Sequence, residues 1–130
     1  LLQTYSPTIR NTTTYQLHAL GRATVVTEPL NLMTTRTFDV RSNVTSIVRL
    51  IQTTPPVSRT TTFEVAPGTE NVTKERVQVG SSLYAETVST YNATTNDLLT
   101  RTESNDVAAT RLVTKYGYDG AGRLVTVNVN

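Results

Sequence analysis

The chain has 130 residues, of which 37% are hydrophobic and 17% charged, with no cysteine, no tryptophan and one histidine. This length corresponds to one domain, and the lack of cysteine excludes disulfide scaffolds, thiol nucleophiles and cysteine-ligated metals. Twelve basic and ten acidic residues give a net charge of only +2, without any basic run, so nucleic acid is not an expected partner.

Threonine is the most unusual feature of the composition, with 27 of 130 positions against 8 serines. A β-branched polar residue suits a half-exposed strand better than a helix. In chain order, β-rich composition or period-two alternation predicts strands over residues 23–27, 32–38, 44–52, 57–65, 72–79, 83–91, 98–103, 107–118 and 125–130. We therefore predict an all-β fold of roughly ten antiparallel strands with short connections and no significant helix.

The turn signals between these strands contain an internal repeat. The clearest copy is Tyr118-Asp119 followed by Gly122-Arg123, and Gly21-Arg22 aligns with its glycine-arginine pair. A further copy begins at Phe38-Asp39, and weaker copies begin at Phe63 and Tyr91. The anchor positions 17, 38, 63, 91 and 118 are separated by 21, 25, 28 and 27 residues. Regular spacing of this kind is typical of a repeat architecture.

Turn chemistry gives each residue of the repeat a role. The aromatic side chain packs on the apolar side of the sheet, and aspartate accepts hydrogen bonds from backbone N–H groups of the turn. Glycine supplies a positive φ, and arginine begins the return strand with its charge in solvent. Each copy is then a hairpin, and because one hairpin cannot bury its own apolar face, neighbouring hairpins must stack.

This pattern resembles the YD-repeat, or Rhs (rearrangement hotspot), family, whose loose consensus is an aromatic-Asp pair followed by Gly-Arg or Gly-Asn. The resemblance covers residues 1–130 as a single segment of about five degenerate repeats. It implies hairpins that form a curved or spiralling β-sheet, which in the family often makes a shell around a toxin polypeptide and in animal relatives an adhesion-receptor barrel. The residues that carry it are Phe38, Asp39, Tyr118, Asp119, Gly122, Arg123, Gly21 and Arg22.

The sequence offers no constellation that predicts catalysis. His18 is the only imidazole and has no second histidine or cysteine as a metal-binding partner. The carboxylates form no recognisable pair, the serines lack a nucleophile-elbow context, and no phosphate-binding loop opens a helix. We therefore expect no enzyme activity, no metal and no cofactor.

Four Asn-x-Thr sequons make Asn11, Asn43, Asn71 and Asn92 candidate N-glycosylation sites. The six tyrosines have two interpretations, either packing within the sheet or a strip that stacks on sugars.

The chain begins Leu1-Leu2-Gln3-Thr4 without an initiator methionine or targeting signal, so we expect a processed product or an excised piece. No apolar stretch approaches the roughly 20 residues that span a bilayer, so membrane insertion is not expected.

These features predict a structural, non-catalytic β-repeat segment of an extracellular or secreted shell or filament-like assembly. Open β-edges would pair with further copies of the chain or with flanking repeats of a larger shell. The alternative is an adhesion module that binds glycans or a cell-surface protein.

Overall fold

The computed structural model describes residues 12–81, 83–105 and 111–130. In these residues ten strands form one antiparallel sheet, and each strand pairs with its neighbours in the sequence. The strands are Thr14–Leu17 (β1), Ala23–Thr27 (β2), Met33–Phe38 (β3), Val44–Thr53 (β4), Pro56–Val65 (β5), Val72–Gln78 (β6), Tyr84–Tyr91 (β7), Leu98–Asn105 (β8), Arg111–Tyr118 (β9) and Leu124–Val129 (β10). The only helical element of the described residues is one 3-10 turn at Pro29–Asn31. The all-β antiparallel prediction is confirmed.

A missed strand and one strand end are the main differences from the sequence prediction, while most other strand ends agree to within one residue. The missed strand is β1, which has only four residues. β8 continues past the predicted end at residue 103, since Ser104 lies opposite both Glu86 and Arg111 and so extends both ladders. The cluster Ser104-Asn105-Asp106 predicts a turn here, and this prediction is wrong at Ser104 and Asn105, which belong to β8; Asp106 lies outside the described residues. The start predicted for the next strand, at residue 107, lies outside the described residues.

Five hairpins, each formed by an odd-numbered strand and the strand after it, place their turns at the same end of the strands. We call this end of the sheet the turn edge. Next to each of these turns the register shifts by one residue, because the return strand carries one extra residue. Such a bulge bends the strand and increases its right-handed twist. The described strands do not close into a barrel, and their recurrent bends agree with the predicted curved sheet.

Threonine occupies three of these five bulge positions. The hydroxyl of Thr24 donates to the carbonyl of Gln16, and that of Thr73 donates to the carbonyl of Glu64, both at 3.1 Å. The hydroxyls of Thr45 and Thr37 hydrogen-bond to each other at 2.9 Å. Part of the threonine excess therefore serves to tie the bulged strand to its partner.

The strand register divides the side chains between two faces, because directly opposed residues point to the same side of a sheet. One face, which we call the aromatic face, carries Phe38, Phe63, Tyr91, Tyr116 and Tyr118. The opposite face is rich in threonine, including Thr35, Thr60, Thr62, Thr100 and Thr102. On this threonine face Lys74 pairs with Glu64 at 3.2 Å and Arg76 with Glu86 at 3.4 Å.

No hydrophobic side chain is buried in the part of the chain that the structure describes. The only two buried residues there are polar, Thr34 and Ser42, at 8% and 9% exposure. Val127 and Val129 on β10 remain 52% and 58% exposed. Stable domains bury a sheet face against a second layer. Within the described residues both faces of this sheet lack such a layer.

Candidate functional site

The turn edge repeats one backbone geometry in its first, second and fifth turns. In each, the N–H of the first loop residue donates to the carbonyl of the fifth, as Asp39 does to Asn43 and Asp119 to Arg123, both at 2.9 Å. His18 makes the same bond to Arg22 at 3.0 Å. The fourth loop residue has a positive φ in all three turns, at Gly21, Ser42 and Gly122. A left-handed residue next to a bulge is a standard way to close a hairpin.

A side chain at the first loop position also caps these turns. Oδ1 of Asp119 accepts from the N–H groups of Ala121 and Arg123, both at 2.9 Å. Oδ1 of Asp39 does the same with Arg41 at 2.9 Å and Asn43 at 2.8 Å. These are Asx turns, in which a short carboxylate satisfies loop donors that the strands leave free.

In the first and fourth turns a histidine and an asparagine take the place of the capping aspartate. Nδ1 of His18 accepts from the N–H of Leu20 at 2.9 Å, so its imidazole replaces the carboxylate of the other copies. Oδ1 of Asn92 accepts from the N–H groups of Thr94 and Thr95 at 2.8 and 3.1 Å. The lone histidine thus has a structural contact, and no group of three or more His, Asp or Glu side chains suited to a metal ion exists among the described residues.

The capping bonds favour the ionised carboxylates. The pKa of Asp39 is lowered from 3.8, chiefly by the side-chain hydrogen bond that Asn43 donates to Oδ2. The pKa of Asp119 is also lowered from 3.8, first by the backbone N–H of Arg123 and then by the guanidinium of that residue, whose Nε lies 2.8 Å from Oδ2. Each turn therefore holds a negative charge through bonds made within its own loop.

Two tyrosines connect successive hairpins along the turn edge. The hydroxyl of Tyr91 donates to the carbonyl of Val72, and that of Tyr118 donates to the carbonyl of Leu98, both at 3.0 Å. Val72 and Leu98 each begin the return strand of the preceding hairpin. The two contacts are therefore equivalent, and sequence reasoning missed them. The 27-residue spacing of the two tyrosines is the signal that could have suggested a common role.

The first and second hairpins are connected by an aromatic cluster instead. The rings of His18 and Phe38 meet edge to face with centroids 5.1 Å apart. The guanidinium of Arg22 lies 6.0 Å above the ring of Phe38, and its Nη1 donates to the carbonyl of Ser42 at 2.6 Å. Arg22 is exposed, as the sequence predicts for this position, and the structure adds these two contacts with the next hairpin.

The third hairpin departs from the anchor position taken from the sequence. Its turn begins at Ala66, whose N–H donates to the carbonyl of Asn71 at 2.9 Å. Val65, directly opposite Val72, therefore occupies the position of Tyr91 and Tyr118, and the equivalent of those anchors is not Phe63. The aromatic Phe63 suggests an anchor in the sequence, whereas the position of the turn is fixed by Ala66 and by the positive φ of Gly68.

A cleft of about 400 Å³ opens beside this short anchor, on the aromatic face between the second and third hairpins. Val44, Ile47, Phe63 and Val65 line its apolar part. Polar atoms surround it from Ser42, Asn43, Arg22 and Glu70. It is a concave site with apolar walls and a few polar groups, which is the usual composition of a small-molecule site.

Three of the four candidate glycosylation sites lie on the turn edge. Asn43 ends the second turn and donates from Nδ2 to Asp39 at 3.0 Å. Asn71 ends the third turn and donates from Nδ2 to Asn96 of the fourth at 3.3 Å. Asn92 begins the fourth turn as its cap. Asn11 lies outside the described residues.

No protein-family model matches the sequence, and no match to a curated protein is found. The described residues also include no helix long and apolar enough to cross a membrane. The geometry of the turn edge and of the two sheet faces is therefore the basis for the proposals below.

Proposed function

We propose that the chain is a structural, non-catalytic β-repeat segment of the YD-repeat type, forming part of an extracellular or secreted shell or filament-like assembly. The observation that carries this proposal is a ten-stranded sheet, joined hairpin to hairpin, in which no described hydrophobic side chain is buried. Such a sheet gains its stability from contacts between neighbouring units, as repeat proteins do.

The repeated turn chemistry supports the assignment to a repeat segment. Asp39 and Asp119 accept the same pair of loop N–H groups, although 80 residues separate them in the sequence. Tyr91 and Tyr118 likewise make the same contact with the preceding hairpin. The aspartate cap therefore recurs in the second and fifth turns, and the tyrosine contact recurs in the fourth and fifth hairpins. The three turn-edge sequons support the extracellular or secreted setting, since N-linked glycans are added to exposed Asn-X-Ser/Thr sites of chains that enter the secretory pathway.

The backbone of β10 supports pairing with a further strand. Asn130 exchanges two hydrogen bonds with Val113 on β9, at 2.9 and 3.0 Å. Because such bonded pairs alternate along an antiparallel ladder, the backbone groups of Val127 and Val129 point away from β9. No described strand pairs with this side of β10, and unpaired N–H and C=O groups along an edge are a template for another strand. A second copy or a flanking repeat would satisfy them.

Light scattering and electron microscopy of the full chain over a range of concentrations test the proposal. We expect concentration-dependent growth into shells or filaments. Val127→Pro removes an outward N–H, which proline tolerates on an edge strand, and should abolish growth while β content by circular dichroism is retained. Val127→Ala is the matched control, because it loses similar side-chain contacts but keeps the N–H, and it should still assemble. A wild-type chain that stays monomeric at high concentration would contradict the proposal.

The glycan-binding alternative has weaker support from the aromatic face. The hydroxyls of Tyr91 and Tyr118 are already used within the sheet, which favours the packing interpretation of these tyrosines. Tyr15, at 63% exposure, keeps an accessible ring. A sugar titration followed by tyrosine fluorescence distinguishes the two functions, since a saturable change favours the adhesion module and its absence favours the structural segment.

A further inference from the structure

The tyrosine contact that joins neighbouring hairpins along the turn edge is missing from the third hairpin, and the cleft beside Val65 lies at that place. In the fourth and fifth hairpins a tyrosine at the end of the first strand donates to the first residue of the preceding return strand. By the same register, the donor position of the third hairpin is Val65 and the acceptor is the carbonyl of Val44. Valine has neither the ring nor the hydroxyl that this contact requires.

The cleft has room and apolar walls for an aromatic ring. Its volume of about 400 Å³ falls within the range of about 300–1,000 Å³ that is usual for small-molecule pockets. Ile47, Phe63 and Val72 supply apolar walls for an aromatic ring. Phe63 is half-buried, so its ring contributes to the wall without filling the space.

The polar groups around the cleft carry one charge of each sign. Arg22 uses one of its guanidinium donors on the carbonyl of Ser42, which leaves other donors of its fork for an anion. Glu70 is exposed and lines the same cleft, so it can accept from a cation. This charge pattern is complementary to the carboxylate and ammonium groups of a free amino acid.

We propose that this cleft is a binding site for a tyrosine-type ligand, a para-hydroxyphenyl ring with an ionised amino-acid tail. The ring fills the space next to Val65, and its hydroxyl donates to the carbonyl of Val44 as Tyr91 and Tyr118 donate to their acceptors. The carboxylate of the ligand lies toward Arg22, and its ammonium group lies toward Glu70. This site is independent of strand pairing at β10, so it can be tested apart from assembly.

An NMR titration of the full, isotopically labelled chain with L-tyrosine tests the site. We expect saturable shifts of the Val44, Val65 and Phe63 resonances. L-Phenylalanine should bind about fivefold more weakly, because one neutral hydrogen bond is missing. Tyramine, which lacks the carboxylate, should also bind more weakly than L-tyrosine. Equal affinity for tyrosine and phenylalanine, or no saturable shift up to the solubility limit of tyrosine, would overturn the proposal.

Two variants connect the binding to this cleft. Val65→Tyr supplies the missing ring from the chain itself, so it should abolish tyrosine binding and raise the unfolding temperature. Val129→Tyr, the same substitution on exposed β10, should leave binding unchanged. Should Val65→Tyr fail to fold, Glu70→Gln provides the second measurement. It should weaken the binding of L-tyrosine severalfold without affecting p-cresol, which lacks a charged tail. Retention of full affinity in either cleft variant would show that the ligand lies elsewhere.

Discussion

The hydroxyl of Tyr118 donates a 3.0 Å hydrogen bond to the carbonyl of Leu98, and this bond joins the fifth hairpin to the fourth. Tyr91 makes the equivalent bond to Val72. Both bonds are partly buried, and they join neighbouring hairpins in a sheet whose described residues include no buried hydrophobic side chain.

Replacing Tyr118 by phenylalanine should lower the free energy of unfolding by about 1 kcal/mol, because the carbonyl of Leu98 loses its partner while the ring remains. Tyr116→Phe is the matched control. Tyr116 lies on the same strand and face, but its hydroxyl has no hydrogen bond within the described residues. Urea denaturation of both variants measures the difference. Equal losses from the two substitutions would show that the bond to Leu98 contributes nothing.

Gly122 and Gly120 lie in the same turn but differ in backbone conformation. Gly122 has φ of +77°, whereas Gly120 is outside the left-handed region, and a Cβ at either position meets no atom within 4 Å. Gly122→Ala should therefore cost about 1–2 kcal/mol from backbone strain alone. Gly120→Ala should be nearly neutral. Thermal unfolding followed by circular dichroism measures both, and a neutral Gly122→Ala would be inconsistent with the described turn.

Two substitutions of Asp119 distinguish the effect of its capping hydrogen bonds from the effect of its negative charge. Asp119→Asn keeps an oxygen that accepts from Ala121 and Arg123 but loses the ion pair with the guanidinium, whereas Asp119→Ala loses both. We expect a lower unfolding midpoint for the alanine variant and a smaller change for asparagine. Amide hydrogen exchange at Ala121 and Arg123 should accelerate only in Asp119→Ala. Similar acceleration in both variants would assign the effect to the charge.

Acidification should weaken the second and fifth turns together. Since the folded-state pKa of Asp39 and of Asp119 lies below 3.8, the ionised carboxylates stabilise the fold fully at pH values well above 3.8. That contribution is lost as the pH falls through the lower, folded-state values. A variant with both Asp39→Asn and Asp119→Asn should therefore lose less stability between pH 7 and low pH than the wild type. The denaturation midpoints of both proteins, measured across this pH range, give the difference. If the two midpoints fall in parallel as the pH is lowered, Asp39 and Asp119 have no role in the acid sensitivity.

The sequence alone was sufficient where structure depends on near neighbours. Alternation such as that of Val125, Val127 and Val129 predicts a strand, because side chains alternate between faces with a period of two. The caps of Asp39 and Asp119 follow from a short carboxylate within reach of N–H groups two and four residues ahead. Both signals lie within a few residues of the chain, so no tertiary contact is needed to interpret them.

Contacts between hairpins could not be predicted in the same way. The repeat motif marks Tyr118 as the residue before Asp119, but it does not reveal that the Tyr118 hydroxyl bonds to Leu98. Nor does it reveal that the hydroxyl of Tyr116 makes no hydrogen bond among the described residues. The difference arises from the register of β8 against β9, which decides which ring reaches the turn edge. Likewise, an imidazole cap at His18 depends on the loop placing Nδ1 beside the N–H of Leu20.

The third hairpin shows most clearly which features the sequence determined and which only the tertiary structure decided. The amino-acid sequence determined that residues 57–65 form a strand and that Pro67-Gly68 lies in a turn, because alternation and turn preference are local properties. Only the tertiary structure decided that Val65, and not the aromatic Phe63, takes the position equivalent to Tyr91 and Tyr118, and that a cleft remains in front of Val44. The physical reason is that a cleft depends on the distance between strands paired across the sheet, and that distance is set by register and bulges, not by any single segment.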